Sequence, residues 1–166
     1  MGVSKHLESV YRTERDRLFT YALSILGNEE SSEDVVHDVF RKLCQAPPEA
    51  DDLRAFVFRC VRNRAIDEVR KRARAESALT AEGDASIFAL DSREPWAEAV
   101  SRERAGQVQR SLKRLGAEQR EVVVLHIYGG MTFSSISKVL ETPFGTVVSR
   151  YRRALAKLRK ALEEEV

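Results

Sequence analysis

Apolar residues recur along this chain at helical spacing, and no stretch alternates apolar and polar positions for long, so the expected fold class is all-α. Residues 7–11 open a first helical turn or two. Residues 16–26 follow, with Leu18, Phe19, Ala22, Leu23 and Leu26 on one side, and Gly27-Asn28 stops them. Residues 32–43 place Val35, Val36, Val39, Phe40 and Leu43 together. After the breaker APPEADD a fourth helix is predicted over 53–74, with Asp51 or Asp52 as its N-cap. Its broad apolar side would hold Leu53, Phe56, Val57, Cys60, Val61, Ala65 and Val69.

Residues 75–97 lose the periodicity. They mix small residues, acids, a glycine and a proline, and read as a flexible linker with one helical turn around 87–90. Helices resume over 97–115 and 118–128, broken at Gly116 and halted by Gly129-Gly130. Thr132 should cap a short helix through Leu140, with Phe133, Ile136, Val139 and Leu140 inward. Glu141-Thr142 then turns the chain into a long last helix starting at Pro143 and ending near Glu164. The pattern predicts two small domains, a helical bundle over 1–74 and a helix-turn-helix over 98–166, on either side of the linker.

The last helix opens with TPFGTVVSRYRR. Thr142 suits an N-cap and Pro143 the first helical position. At about 100° per residue, Val147, Tyr151, Ala154, Leu155, Leu158 and Leu162 gather on a core side, and Thr146, Ser149, Arg150, Arg153 and Lys157 on another. Six basic residues and no acid lie between Arg150 and Lys160. The helix macrodipole accounts for cations in the last turns of such a helix, but disfavours them in its first half. Hydroxyls and arginines near the start of a helix are what base edges and phosphates would select, so this face reads as a DNA contact rather than a merely solvated one.

Charge changes the picture through its distribution. The net charge is only +2, yet residues 1–74 sum to +1, residues 75–100 to −5 and residues 101–166 to +6. That asymmetry points to a polyanionic partner for the C-terminal part. On the fourth helix Arg59, Arg62, Asn63, Ile66 and Arg70 fall together, and residues 54–74 carry eight basic residues against two acids. A second nucleic-acid surface and a wet, solvated face both fit that run. The third helix reverses the sign, with five acids over 29–38 and no Lys or Arg. Glu33 and Asp34 suit the helix dipole in a first turn, whereas Asp38, one turn beyond Asp34 and beside exposed-looking Val35 and Phe40, suits a protein-docking surface as well.

The two cysteines, Cys44 and Cys60, read as packed thiols. They and the three histidines show no metal-ligand spacing, and no nucleophile–base set or phosphate loop is present. No enzyme, cofactor or metal is expected. No apolar run approaches a membrane span and the N-terminus lacks a signal-peptide core, so a cytoplasmic protein is expected.

Three segments in order resemble the extracytoplasmic-function sigma factors of the sigma-70 family: RDRLFTYALSILGNEESSEDVVHDVFRKL, DLRAFVFRCVRNRAIDEVRKRAR, and the run from LGAEQREVVV to ALAKLRKAL. The resemblance implies a polymerase-docking segment with Asp34 and Asp38 on core RNA polymerase. It also implies that the fourth helix and the APPEADD loop melt and hold the downstream promoter element, through Arg59, Arg62, Asn63 and, on the backbone, Arg70. Thr146, Ser149, Arg150 and Arg153 would read the upstream duplex, with Lys157 on phosphate, while the acidic linker threads the polymerase's RNA path. An anti-sigma partner is common in the family. The chain departs from it in three places. Leu140-Glu141-Thr142-Pro143 stands where leucine-glycine-isoleucine-proline is usual, Ser137 replaces an alanine that would leave no hydroxyl to satisfy, and Cys44 replaces a tryptophan. If residue 141 keeps a positive φ, glutamate there costs about 1 kcal/mol relative to glycine. The rivals to this reading are a stand-alone helix-turn-helix regulator and a helical interaction module whose basic faces only solubilise it.

Overall fold

The structure is a computed structural model that describes residues 2–78 and 110–164, with the side chain of Val3 excepted. All regular structure among them is helical, and the chain divides into two compact units, Met1–Asp91 and Ser92–Val166.

In the first unit α1 (Gly2–Leu26), α2 (Glu29–Gln45) and α3 (Leu53–Ser77) pack pairwise around one core. The two expected N-terminal segments are one continuous helix. The row Leu7, Glu14, Leu18, Tyr21, Ile25 runs its whole length, and each member is buried. Glu14 disguises the row in the sequence. Its carboxylate takes both arms of the Arg54 guanidinium of α3, with Nε at 3.0 Å from Oε1 and Nη2 at 3.0 Å from Oε2. Such a fork satisfies a carboxylate sitting among apolar neighbours.

Gly27, at φ 68°, ends α1 in the left-handed region, with its N–H on the Leu23 carbonyl. Asn28 then caps α2 by accepting from the Ser31 N–H at 2.9 Å, so α2 starts at Glu29, three residues earlier than the apolar pattern indicates. Val35 and Phe40 are buried, not exposed. Asp52 caps α3 through the Ala55 N–H at 3.0 Å. Phe58 rather than Phe56 enters the core, against Tyr21 at 5.9 Å between ring centroids. Phe56, Cys60 and Val69 are only half-buried. α3 continues three residues into the expected linker. The remainder of that linker, the turn at 87–90 and most of the helix expected over 97–115 lie outside the described residues.

The second unit resumes with a helical stretch at 110–113, followed by α4 (Ala117–Ile127), α5 (Phe133–Leu140) and α6 (Phe144–Glu164). α4 is buried nearly all round, and even Arg120 is enclosed. Its guanidinium donates to the carbonyls of Leu112 at 2.9 Å, Leu115 at 3.0 Å and Lys113 at 3.2 Å, which closes the end of the preceding helical stretch. At Gly129 a Cβ would lie 2.4 Å from the Leu125 carbonyl oxygen, so only glycine fits where α4 ends. Thr132 caps α5 through the Ser135 N–H at 3.1 Å. His126, Phe133 and Tyr151 bring one ring each from α4, α5 and α6 into a cluster with centroids 4.5–5.0 Å apart.

The α5–α6 turn departs from expectation in one respect and meets it in two. Glu141 does take the left-handed conformation, φ 49° and ψ 42°. Ser137 does find a partner, donating its hydroxyl to the Thr142 carbonyl at 2.6 Å, while the Ser137 carbonyl accepts the N–H groups of Glu141 and of Thr142. Thr142, however, does not cap α6. Its hydroxyl donates back to the Leu140 carbonyl at 3.0 Å, and the Pro143 carbonyl accepts the first helical bond, from Val147, so Pro143 sits before the helix rather than in its first position.

Candidate nucleic-acid interface and docking face

The basic run on α3 separates into two populations. Arg54 forks onto Glu14; Arg64 donates to Asp38 at 3.0 Å and pairs with Glu68 at 3.2 Å; Arg72 donates to the Ser31 hydroxyl. These three tie α3 to α1 and α2. Arg59, Arg62, Asn63 and Arg70 occupy the other side, as the helical projection places them, with Lys71 and Arg74 exposed toward its end. Arg59 and Arg62 are half-buried, and the Arg59 guanidinium lies over the Phe56 ring at 5.3 Å. The half-exposed Phe56 therefore belongs to this cationic surface, which its apolar character hid in the sequence. The outward face joins cations, an amide and an aromatic plane, the parts needed to hold a strand with unstacked bases.

On α2, Asp34 is exposed but Asp38 is not a free acid. It is half-buried and ringed by Arg41, by Lys42 at 3.2 Å and by Arg64 at 3.0 Å. Hydrogen bonds from Arg41 and then Arg64 hold its carboxyl well below the usual carboxylate range. The exposed acids of this end of α2 are Glu29, Glu30, Glu33 and Asp34. Sequence reasoning missed Glu29 and Glu30 as candidates because it started the helix too late.

Toward the opposite end of α2 an open cleft of about 420 Å³ is lined by Leu7, Tyr11, His37, Phe40, Arg41 and Cys44 among others. Cys44 is exposed at this cleft rather than packed. Cys60 is half-buried, and burial pushes its thiol pKa up.

α6 presents three faces. Its core side is Val147, Ala154 and Ala161, seven residues apart, with Tyr151 and Leu158 partly buried beside them. Leu155 and Leu162, expected in the core, are exposed. The small alanines let α6 approach the core and turn those leucines outward, along a stripe with Val148 and the 55% exposed Phe144.

The third face carries the predicted contact residues, and they are together. The Ser149 hydroxyl donates to the Thr146 carbonyl at 3.1 Å, Arg153 donates to the Ser149 hydroxyl at 3.4 Å, and Arg153 and Lys157 are exposed. Arg150 differs. Its side chain is 20% exposed, and its guanidinium lies 2.9 Å from a carboxylate oxygen of Glu118 on α4. A short helix, a tight left-handed turn and a longer helix offering hydroxyls and arginines outward match the geometry with which such motifs enter a major groove.

Known proteins share both units of this chain. Sigma-70 region 2 matches residues 10–75 and Sigma-70, region 4 matches residues 105–158. The extracytoplasmic-function (ECF) RNA polymerase sigma factor SigW of Bacillus subtilis is 27% identical over 160 residues, covering 90% of this chain and 85% of the relative. SigL of Mycobacterium tuberculosis is 28% identical over 162 residues, covering 95% and 89%.

Two solved structures share the fold at 23% identity. They are the sigma factor RpoE of Bartonella quintana with the anti-sigma factor NepR, at a TM-score of 0.75 over 96% of this chain and 98% of that one, and CnrH with the cytosolic domain of CnrY, at 0.67 over 98% and 90%. Among the described residues no helix is long and apolar enough to cross a membrane. A region 2 match over residues 10–75, which include the acidic end of α2 and most of α3, disfavours a stand-alone helix-turn-helix regulator. The chain belongs to the sigma-70 family, in its extracytoplasmic-function group, and is a non-enzymatic sigma factor of transcription initiation.

Proposed function

We infer that the chain docks on core RNA polymerase through the acidic end of α2, works beside it in the cytoplasm, and grips promoter DNA at two places with two different rods. The observation that carries this reading is the outward placement of cations on two helices of separate units, after the inward-facing arginines of α3 have been accounted for by acids and a hydroxyl of its own bundle. Asp34 makes the direct docking contact. Asp38 sets the shape of that face through Arg41, Lys42 and Arg64.

On the downstream element Arg59, Arg62 and Asn63 hold the opened strand, with the APPEADD loop beside them and Arg70 on its backbone; on the upstream element Arg153, Thr146 and Ser149 face the groove and Lys157 a phosphate. Boundaries near 74 and 98 fit this division of labour, the intervening acidic stretch passing along the polymerase. The exposed apolar stripe of α6 and the structural neighbours' complexes with anti-sigma factors support an inhibitor of that kind as a further partner.

Transcription in vitro with purified core polymerase over a promoter library tests the reading. The full chain should direct initiation from a subset sharing two spaced elements, and Asp34→Arg should abolish it along with co-purification of the polymerase. Initiation unaffected by Asp34→Arg overturns the docking face.

A further inference from the structure

The Arg150–Glu118 pair is out of place on a surface built to attract a polyanion. Every other predicted contact residue of α6 is turned toward solvent or bonded within its own helix, whereas Arg150 is anchored to the first turn of α4. Glu118 is 71% exposed, so it is not an acid that folding had to bury and then neutralise. Helix-dipole stabilisation explains its presence at the start of α4, and would do so wherever its carboxylate pointed. It does not explain why the carboxylate reaches across to the recognition helix and meets an arginine there. The bond engages one amino group of a guanidinium that carries five N–H donors in a fixed fork, so the rest of the fork keeps its capacity to bond.

We propose that Glu118 is a specificity-setting residue that withholds Arg150 from indiscriminate phosphate binding; the inference rests on the assignment of the α6 face to the upstream duplex. Phosphate attraction is the same on every sequence and supplies most of non-specific affinity. A cation already neutralised by a neighbouring carboxylate adds little to it. On the right sequence a base edge or a well-placed phosphate offers the fork several bonds at once, and the pair exchanges for them. The anchored side chain is also held in place beforehand, so less rotamer freedom is lost when that contact forms. Removing Glu118 should therefore strengthen binding to the wrong DNA more than to the right DNA.

The test is a two-by-two comparison in the full-length chain of wild type, Glu118→Gln, Arg150→Ala and the double variant, with Arg153→Ala as a reference. Binding to a fluorescent random-sequence duplex is titrated at several salt concentrations, and the sequences that the reconstituted polymerase selects from a library randomised over the upstream element are read for each.

Glu118→Gln should raise random-duplex affinity by about three- to tenfold and steepen the salt slope by close to one released counterion. It should also blur the selected sequence at the position that Arg150→Ala blurs. In the Arg150→Ala background the same substitution should leave affinity, slope and selected sequence nearly unchanged, an outcome that neither a bystander charge nor a fold-stabilising one produces. An equal rise in both backgrounds overturns the proposal, showing an acid that merely repels DNA. No rise in either, with Arg153→Ala weakening binding, reduces the pair to a structural link. If no variant binds duplex at low salt, or Arg153→Ala changes nothing, the upstream assignment falls and this inference with it.

Discussion

α3 and α6 have nearly the same amphipathic grammar and use it differently. Both are long, both carry basic runs, and both show arginines three residues apart. In α3 three arginines turn inward to Glu14, Asp38 and Ser31 and hold a three-helix bundle together, leaving the opposite side to face outward. In α6 the core is reached by alanines and a valine, and the cations stand almost entirely on the outer faces, with Arg150 tied to an acid of its own unit. A basic run thus tells how much cation a helix has, and the acids of its neighbours tell how much of it is available to a ligand.

The division between holding and gripping can be broken at its strongest point first. Glu14→Ala leaves the Arg54 guanidinium beside Phe58 without its carboxylate. It should destabilise the N-terminal unit by about 2–4 kcal/mol, read as lost hydrogen-exchange protection in α1 and α3 with α4–α6 unaffected. Arg153→Ala should do the reverse. We expect unchanged unfolding and a loss of about 1–3 kcal/mol in upstream-element binding if it contacts a base; equal loss on unrelated sequences would demote it to a phosphate contact.

Asp38 sharpens the contrast through pH. Its folded-state pKa lies below the ordinary carboxylate value, so its stabilisation is present above about pH 4 and disappears as the pH falls toward the folded value. Asp38→Asn should therefore lower stability at neutral pH by about 1 kcal/mol, and the difference from wild type, followed by urea midpoints, should shrink as the pH is lowered to about 2. The smallest expected effect is Arg70→Ala on α3. It should change stability by less than about 0.5 kcal/mol while weakening retention of single-stranded DNA by the assembled polymerase. A destabilisation comparable to that of Arg64→Ala would mean that the two sides of α3 are not distinct.

The features legible in the sequence are those decided within a few residues. Gly27, Asp52, Thr132 and Gly129 announce their turns and caps through local chemistry, and the α5 face needs only its own period. What escaped notice depends on residues far along the chain. Glu14 hides the continuity of α1 because its partner is forty residues away, and Asp38 looks like a docking acid until Arg64 is placed beside it. The α6 projection assigned Leu155 and Leu162 to the core because leucine is more apolar than alanine. Packing preferred Ala154 and Ala161, which permit closer approach. The candidate contact residues Thr146, Ser149, Arg153 and Lys157 share a face in the sequence and in the structure because one helix carries them all. The Glu118 contact was not legible, since a periodic pattern places the start of the neighbouring helix along the chain but not its distance from this face.

The link between Ser137 and Thr142 has a consequence for anyone exchanging parts among such proteins. The glutamate at 141 is accommodated where a turn glycine would be freer, and the serine that closes the turn sits on the shorter helix, its mate in the turn ahead of the longer one. A chimera receiving Thr142 and α6 without α5 would inherit half of a fastener. Donor and recipient must be cut ahead of Ser137, not at the bend, for the transplanted helix to arrive correctly aimed.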